Sequence, residues 1–402
     1  MAWGGAAAAW VAPSGLLVLL APMPEAPEVA TVERLPVGAA SDGAHPGLHH
    51  LVEHLAFRGD PAAQGMSAQD ALAARGVDAN AWTGRESMAF TTAADPPALP
   101  LSLWFHAVRG VDPALGAADL AREGRIITQE RAGRPWAALR TEQLRAALLP
   151  DGHPLRADIL GDGEAIGAWA PAVVQAAGVG LRGGPGAVLV VAGPVDAAAV
   201  EAAWRAGTGE ALRPVALGPV LPAAPPGGVL ARGTGAAVDL GPAETGHHLL
   251  WETVPAGHPA APAFDLLAQA LAARLPARWE ARATAESHAA GGFFAVSVGR
   301  PPRAGGRVAR RVRRALEAEA RAPTPGAAAL SALLHGYARR IASPAGRAEV
   351  LADCGAAGHA VDCFDRAADG WARVDGPALS AAAAALAAAP PVVGAATPGR
   401  RR

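Results

Sequence analysis

The chain has 402 residues, 51% of them apolar and 18% charged, with a net charge of −1. That balance excludes global disorder and a wholly basic nucleic-acid-binding surface, and two cysteines are too few for a disulfide-framework fold. Every basic side chain is Arg, Asn80 is the one asparagine and Tyr337 the one tyrosine.

Taken in chain order, residues 15–22 and 28–38 read as strands joined by a Pro-rich turn, Pro22 to Pro27. Leu48, Leu51, Val52 and Leu55 recur at helical spacing, so 47–58 is a helix, entered after Asp42 and Pro46. A second helix is expected over 67–75, a strand over 79–92, and helices over 99–109 and about 113–149. Residues 187–193 are a buried strand by composition and 196–204 a helix. Gly and Pro then crowd 208–236, including the turn at Pro225–Gly228, which reads as a linker. Beyond it the order recurs, with strands at 246–254 and 291–298 and helices at 262–275, 305–321 and 325–342. The expected fold is therefore α+β in two similar halves, 10–207 and 237–392, each a mostly antiparallel sheet packed with helices. No segment reaches the ~20 uninterrupted apolar residues of a membrane span. The apolar N-terminus lacks the basic n-region of a secretory signal, so the expectation is a cytoplasmic protein with Cys354 and Cys363 as reduced, buried or free thiols.

The strongest chemical signal is His50-Leu51-Val52-Glu53-His54, an H-x-x-E-H pentad on the first helix. One helical turn separates the two histidines, so both imidazoles point to one side, where a single Zn²⁺ can take them as ligands. Glu53 lies near that face and can reach water activated by the metal without being a ligand itself. The order is that of an inverted zincin. A third ligand is required, and Glu123 and Glu130 share one helix face two turns apart; Glu130 follows His54 by 76 residues. The Arg cluster Arg307, Arg310, Arg311, Arg313 and Arg314 reads as a solvated helix face.

These residues resemble the pitrilysin/insulinase family of inverted zincin metallopeptidases, in its short-chain branch with mitochondrial processing peptidase and bacterial relatives. The stretch from Gly47 through the pentad to Ala56-Phe57-Arg58-Gly59 is similar to the family's helix and its exit. Asn80-Ala81-Trp82-Thr83 is similar to its N-A-x-T strand, and His153-Pro154-Leu155, Ile159-Leu160-Gly161 and Val188–Gly193 to later landmarks. The resemblance implies a zinc endopeptidase acting on extended peptides, its two halves forming one side of a chamber. It implies one Zn²⁺ per chain held by His50, His54 and Glu130, Glu53 as general base, Glu123 orienting a ligand imidazole, and Asn80 and Ala81 beside the substrate as a β-augmentation edge. Active members also use an Arg and a Tyr seven residues apart in the second half. Here the corresponding stretch runs from Leu275 to His288, and Ala285 and Ala289 stand seven residues after Arg278 and Arg282. The resemblance therefore implies a heterodimer in which a homologous subunit without the zinc motif supplies the pair. The competing readings are a self-sufficient chain using Arg282 or His288, and a catalytically inactive homologue serving as scaffold or peptide-binding subunit. Neither nucleic acid nor membrane is expected as a partner.

Overall fold

A computed structural model describes residues 5–58, 66–112, 114–180, 183–217, 229–241, 244–300, 306–323 and 326–396. Gly59, linker residues 218–228, and the expected helix starts at Pro113, Gly305 and Pro325 lie outside them. The chain divides into two compact units: residues 1–133, 157–222 and 338–366 make the first, and 134–156, 223–337 and 367–402 the second. This departs from two contiguous halves, because each unit takes a segment from the other half of the sequence.

The strands of the first unit are β1 (Ala8–Val11), β2 (Leu17–Pro22), β3 (Val29–Leu35), β4 (Asp78–Thr83), β5 (Met88–Ala94), β6 (Val188–Gly193) and β7 (Arg213–Pro214), in sheet order β4-β5-β3-β6-β2-β1-β7. The pair β2–β6 is parallel and its other pairs antiparallel. Those of the second are β8 (Ala231–Arg232), β9 (Ala237–Asp239), β10 (His247–Thr253), β11 (Ala281–His288), β12 (Gly291–Val298) and β13 (Val392–Ala395), in order β11-β12-β10-β13-β9, with β8 also on β10. Here β9–β13 is the parallel pair. An edge hairpin, an earlier strand, a late strand and then a parallel neighbour thus recur in both sheets, which is the expected pair of similar α+β halves.

The helices are α1 (Leu48–Arg58), α2 (Ala68–Ala73), α3 (Leu99–Val108), α4 (Ala117–Gly133), α5 (Trp136–Leu148), α6 (Gly163–Gly167), α7 (Pro171–Val179), α8 (Ala197–Thr208), α9 (Ala261–Arg274), α10 (Gly306–Arg321), α11 (Ala327–Ile341), α12 (Pro344–Ala356), α13 (Cys363–Ala372) and α14 (Gly376–Ala388). Three expectations are corrected. The strand foreseen over 79–92 is a hairpin of β4 and β5, turned at residues 84–87. The long helix 113–149 is two helices, because Pro135 disfavours helical geometry in the residue before it. The linker carries short strands, with Trp10 opposite Pro214 and Thr253 opposite Ala231.

Apolar side chains of both faces of the first sheet are buried, so Val18, Leu19, Leu189, Val190 and Val191 have no more than a trace of exposure. Behind that sheet a fully buried polar cluster is built by Glu33 of β3 with α3 and the residue after it: Arg109 Nη1 donates to Glu33 Oε2 at 2.5 Å, and His106 Nδ1 lies 2.9 Å from the same oxygen. A disulfide joins Cys354 and Cys363. The expectation of reduced thiols is thereby corrected, and the thiols no longer support a cytoplasmic location. No helix among the described residues is long and apolar enough to cross a membrane.

Candidate metal centre

Helix α1 positions the pentad. Its entry is fixed by Asp42, whose carboxylate accepts from the backbone N–H of Gly47 (2.7 Å) and of His49 (3.0 Å) and pairs with His49 Nδ1 at 2.6 Å. Leu51, Val52, Leu55 and Ala56 face the core, which turns His50, Glu53 and His54 away from it. The imidazole centroids of His50 and His54 stand 4.6 Å apart.

Helix α4 brings up both glutamates. Glu130 Oε2 lies 3.5 Å from His50 Nε2 and 3.6 Å from His54 Nε2. His50, His54 and Glu130 each offer a ligand atom within 4.8 Å of the others. This spacing tests the fit of a zinc ion. Ligand bonds of about 2.1 Å at tetrahedral angles put ligand atoms about 3.4 Å apart, and the two distances to Glu130 match that. Two neutral imidazoles and one carboxylate are also a donor set that zinc accepts.

Glu123, two turns before Glu130, has a fully buried side chain and faces the other nitrogen of the ring, His54 Nδ1, at 3.5 Å. Arg58 Nε meets Glu123 Oε1 at 2.9 Å and Arg122 Nε meets it at 3.6 Å. Burial alone raises the Glu123 carboxyl, but His54, Arg58 and Arg122 together hold it below the usual range, so it stays ionised. Burial likewise disfavours protonated His54, and the carboxylates of Glu123, Glu130 and Glu53 outweigh it, leaving that imidazole above its ordinary value. Glu53 is pushed up by burial, which the Thr83 hydroxyl and His54 offset only in part. Thr83 Oγ1 donates to Glu53 Oε2. The sequence reading gave no role to Thr83 or to the Arg58 contact. Both depend on folding that brings distant residues together, although Thr83 sits in the strand motif singled out above.

Asn80 and Ala81 lie on β4, the outermost strand of its sheet. Asn80 is exposed and borders the same cleft of about 790 Å³ as His54, Arg58 and Arg122. Ala81 instead packs against the core of the first unit. In the second unit Arg278 lies on a short turn, Arg282 and His288 lie on β11, and Tyr337 stacks edge-on to Trp371 at 5.5 Å. The helix expected over 262–275 ends at Arg274.

The fold and this cluster define an α+β chain of two topologically similar sheets, with His50, His54 and Glu130 gathered from helices α1 and α4 of the first unit. Comparison with known proteins places it further. Residues 19–157 match the family Insulinase (Peptidase family M16). An uncharacterized zinc protease of Mycobacterium tuberculosis (strain H37Rv) is 27% identical over 212 residues, 51% of this chain. The match spans 48% of that protein, so the chain corresponds to about half the length of this curated relative. A protease from Helicobacter pylori superposes with a TM-score of 0.78 at 16% identity, covering 97% of this chain and 99% of the other. The peptidase M16 inactive domain from Pseudomonas fluorescens superposes with a TM-score of 0.74 at 16% identity, covering 97% of each. The fold is that of the M16 peptidases, and the resemblance read from the sequence holds.

Proposed function

We propose that this chain is a zinc-dependent endopeptidase subunit that cleaves extended peptides. The observation that supports the reading best is the approach of Glu130 to both histidines at the spacing of a tetrahedral ligand set, with Glu53 beside it. His50, His54 and Glu130 would hold one zinc ion. Bound there, zinc supplies Lewis acidity towards water and a substrate carbonyl. Glu123 fixes the His54 ring through Nδ1 and leaves Nε2 for the metal. Glu53 takes the proton of the attacking water and can return it to the leaving amine. An extended peptide adds to the free edge of β4, where main-chain hydrogen bonds align it and the neighbouring cleft admits a side chain. Asn80 and Ala81 are the substrate-side residues of that edge.

Because neither Arg278 nor Arg282 has a Tyr seven residues on, a homologous partner without the zinc motif supplies the Arg/Tyr pair. The second reading, an inactive subunit that binds peptide or serves as scaffold, is favoured by that same missing pair and by the likeness to an inactive M16 domain. The missing basic n-region is what supports a cytoplasmic location, and the Cys354–Cys363 bond, of a kind rare in that compartment, weighs against it.

The test is cleavage of quenched fluorescent peptides by the chain isolated with whatever copurifies from its host. Activity that a chelator removes, and that Glu53→Gln abolishes while one zinc per chain is retained, is the expected result. Full activity in Glu53→Gln would refute the assignment of the base. Zinc binding without any cleavage, even with a homologous partner present, would favour the inactive reading.

A further inference from the structure

The second unit carries a cationic cleft built largely from the Arg cluster that the sequence suggests is a solvated helix face. Arg307, Arg310, Arg311 and Arg314 occupy i, i+3, i+4 and i+7 of α10, all exposed, and with Arg278 they line a cavity of about 650 Å³. Its floor includes Trp279, which is 6% exposed. The opposite face of α10 is packed through Val308, Val312 and Leu316, so the helix cannot roll to redistribute its charges.

The acids of the neighbouring turns are engaged elsewhere. Glu280 pairs with Arg300 at 3.0 Å, Glu317 with Arg313 at 3.6 Å, and Glu319 with Arg274. Among the described residues, none meets the five guanidiniums of the cleft. Like charges three and four residues apart destabilise a helix. Arg307 adds a cation in the first turn, where the helix dipole favours an anion and no acidic residue stands. A row of cations held in this way is relieved by a bound polyanion.

The charge density selects the kind. Arg307 to Arg314 span about 10 Å of helix axis. A terminal phosphate carries about −1.5 to −2 charges and each internal one of a linked chain about −1, so three linked phosphates, at about −4 to −5, come close to neutralising five guanidiniums within that length. An extended acidic peptide presents alternate side chains to one face, and five facing carboxylates would need about nine residues, some 30 Å. Guanidinium forks suit phosphate oxygens. We infer that this cleft binds a compact oligophosphate.

Titration calorimetry of the full chain with inorganic triphosphate tests the site. The expected result is saturable binding at low salt, weakened at least tenfold in the double variant Arg310→Gln/Arg314→Gln. It should be kept in Arg321→Gln, which removes an exposed cation of the same helix that lies outside the cleft. All three proteins should have the same circular dichroism, since every replaced side chain is exposed. Absence of binding overturns the inference, as does binding that the double variant leaves unchanged. Tighter binding of hexaglutamate than of triphosphate also overturns it, in favour of an acidic peptide.

Discussion

Glu53 is legible in the sequence because its relation to His50 and His54 is set by one helix, and the pitch of a helix is the same in every protein. Glu130 is legible only through its resemblance to a family spacing, since helices α1 and α4 meet by tertiary packing. Thr83 shows what local pattern cannot give. Its hydroxyl reaches Glu53 from a strand thirty residues away, and no periodicity announces that contact. It has a measurable consequence. The Thr83 hydrogen bond favours the ionised Glu53 carboxylate and so opposes the upward push of burial. A general base must be ionised to act. In Thr83→Val the carboxyl therefore rises further, and the acid limb of the pH–rate profile moves to higher pH. A net hydrogen bond of about 1 kcal/mol makes this a several-fold loss of rate on the acid side, with zinc content unchanged. A Thr83→Ser variant should restore the profile. An acid limb identical to that of the parent would show that Thr83 does not support the base.

Helices and strands came through wherever one residue pattern dominated. Helix α1 follows its apolar periodicity and strand β6 its unbroken apolar run, whereas β11 stays hidden because its half-buried positions are mostly alanines, which carry little strand signal. The pairing of elements depends on features that sequence reading passes over, such as a small residue where two backbones touch. Gly124 of α4 is one. A Cβ there would stand 2.2 Å from the carbonyl oxygen of Gly163, at the start of α6, and a Cβ on Gly163 would stand 2.1 Å from the carbonyl oxygen of Gly124. Helix α4 therefore rests backbone to backbone on α6, and this contact sets the position of a helix that carries Glu123 and Glu130. In Gly124→Ala one helix must move, and both glutamates move with α4. Displacement of a ligand and its supporting carboxylate is expected to cost zinc affinity on the order of tenfold or more, read by competition with a chromophoric chelator. Unchanged affinity would mean that α4 yields locally without carrying its glutamates along.

The chain as a whole is not two beads on a string, and this is where sequence reading fell furthest short. A Gly/Pro-rich stretch at 208–236 invites division there, but each unit takes in a segment from beyond that point. Residues 338–366 belong to the first unit. Within them α12 packs against β3 and β6. Gly355 comes so close to the central strands that a Cβ on it would lie 2.9 Å from Leu19 and from Val188, and Asp353 pairs with Arg34 of β3. The Cys354–Cys363 bond lies in the same segment, closing a loop of nine residues' separation at the end of α12. A loop of that size contributes roughly 3 kcal/mol by chain entropy alone. Hydrophobic alternation carries none of this, because the strands read the same whichever helix covers them. A fragment of residues 1–217 keeps every strand of the first sheet and loses the helix that covers β3 and β6. That helix hides apolar side chains such as Val188, and exposing them removes about 25 cal/mol for each Å² of apolar area, against a total stability of only about 5–15 kcal/mol. The fragment is therefore expected to aggregate or to unfold without a cooperative transition. Adding a peptide of residues 338–366 should restore cooperativity and dispersed amide resonances. A fragment 1–217 that unfolds cooperatively alone, at the temperature of the first unit in the full chain, would show that α12 rests on a unit already complete without it.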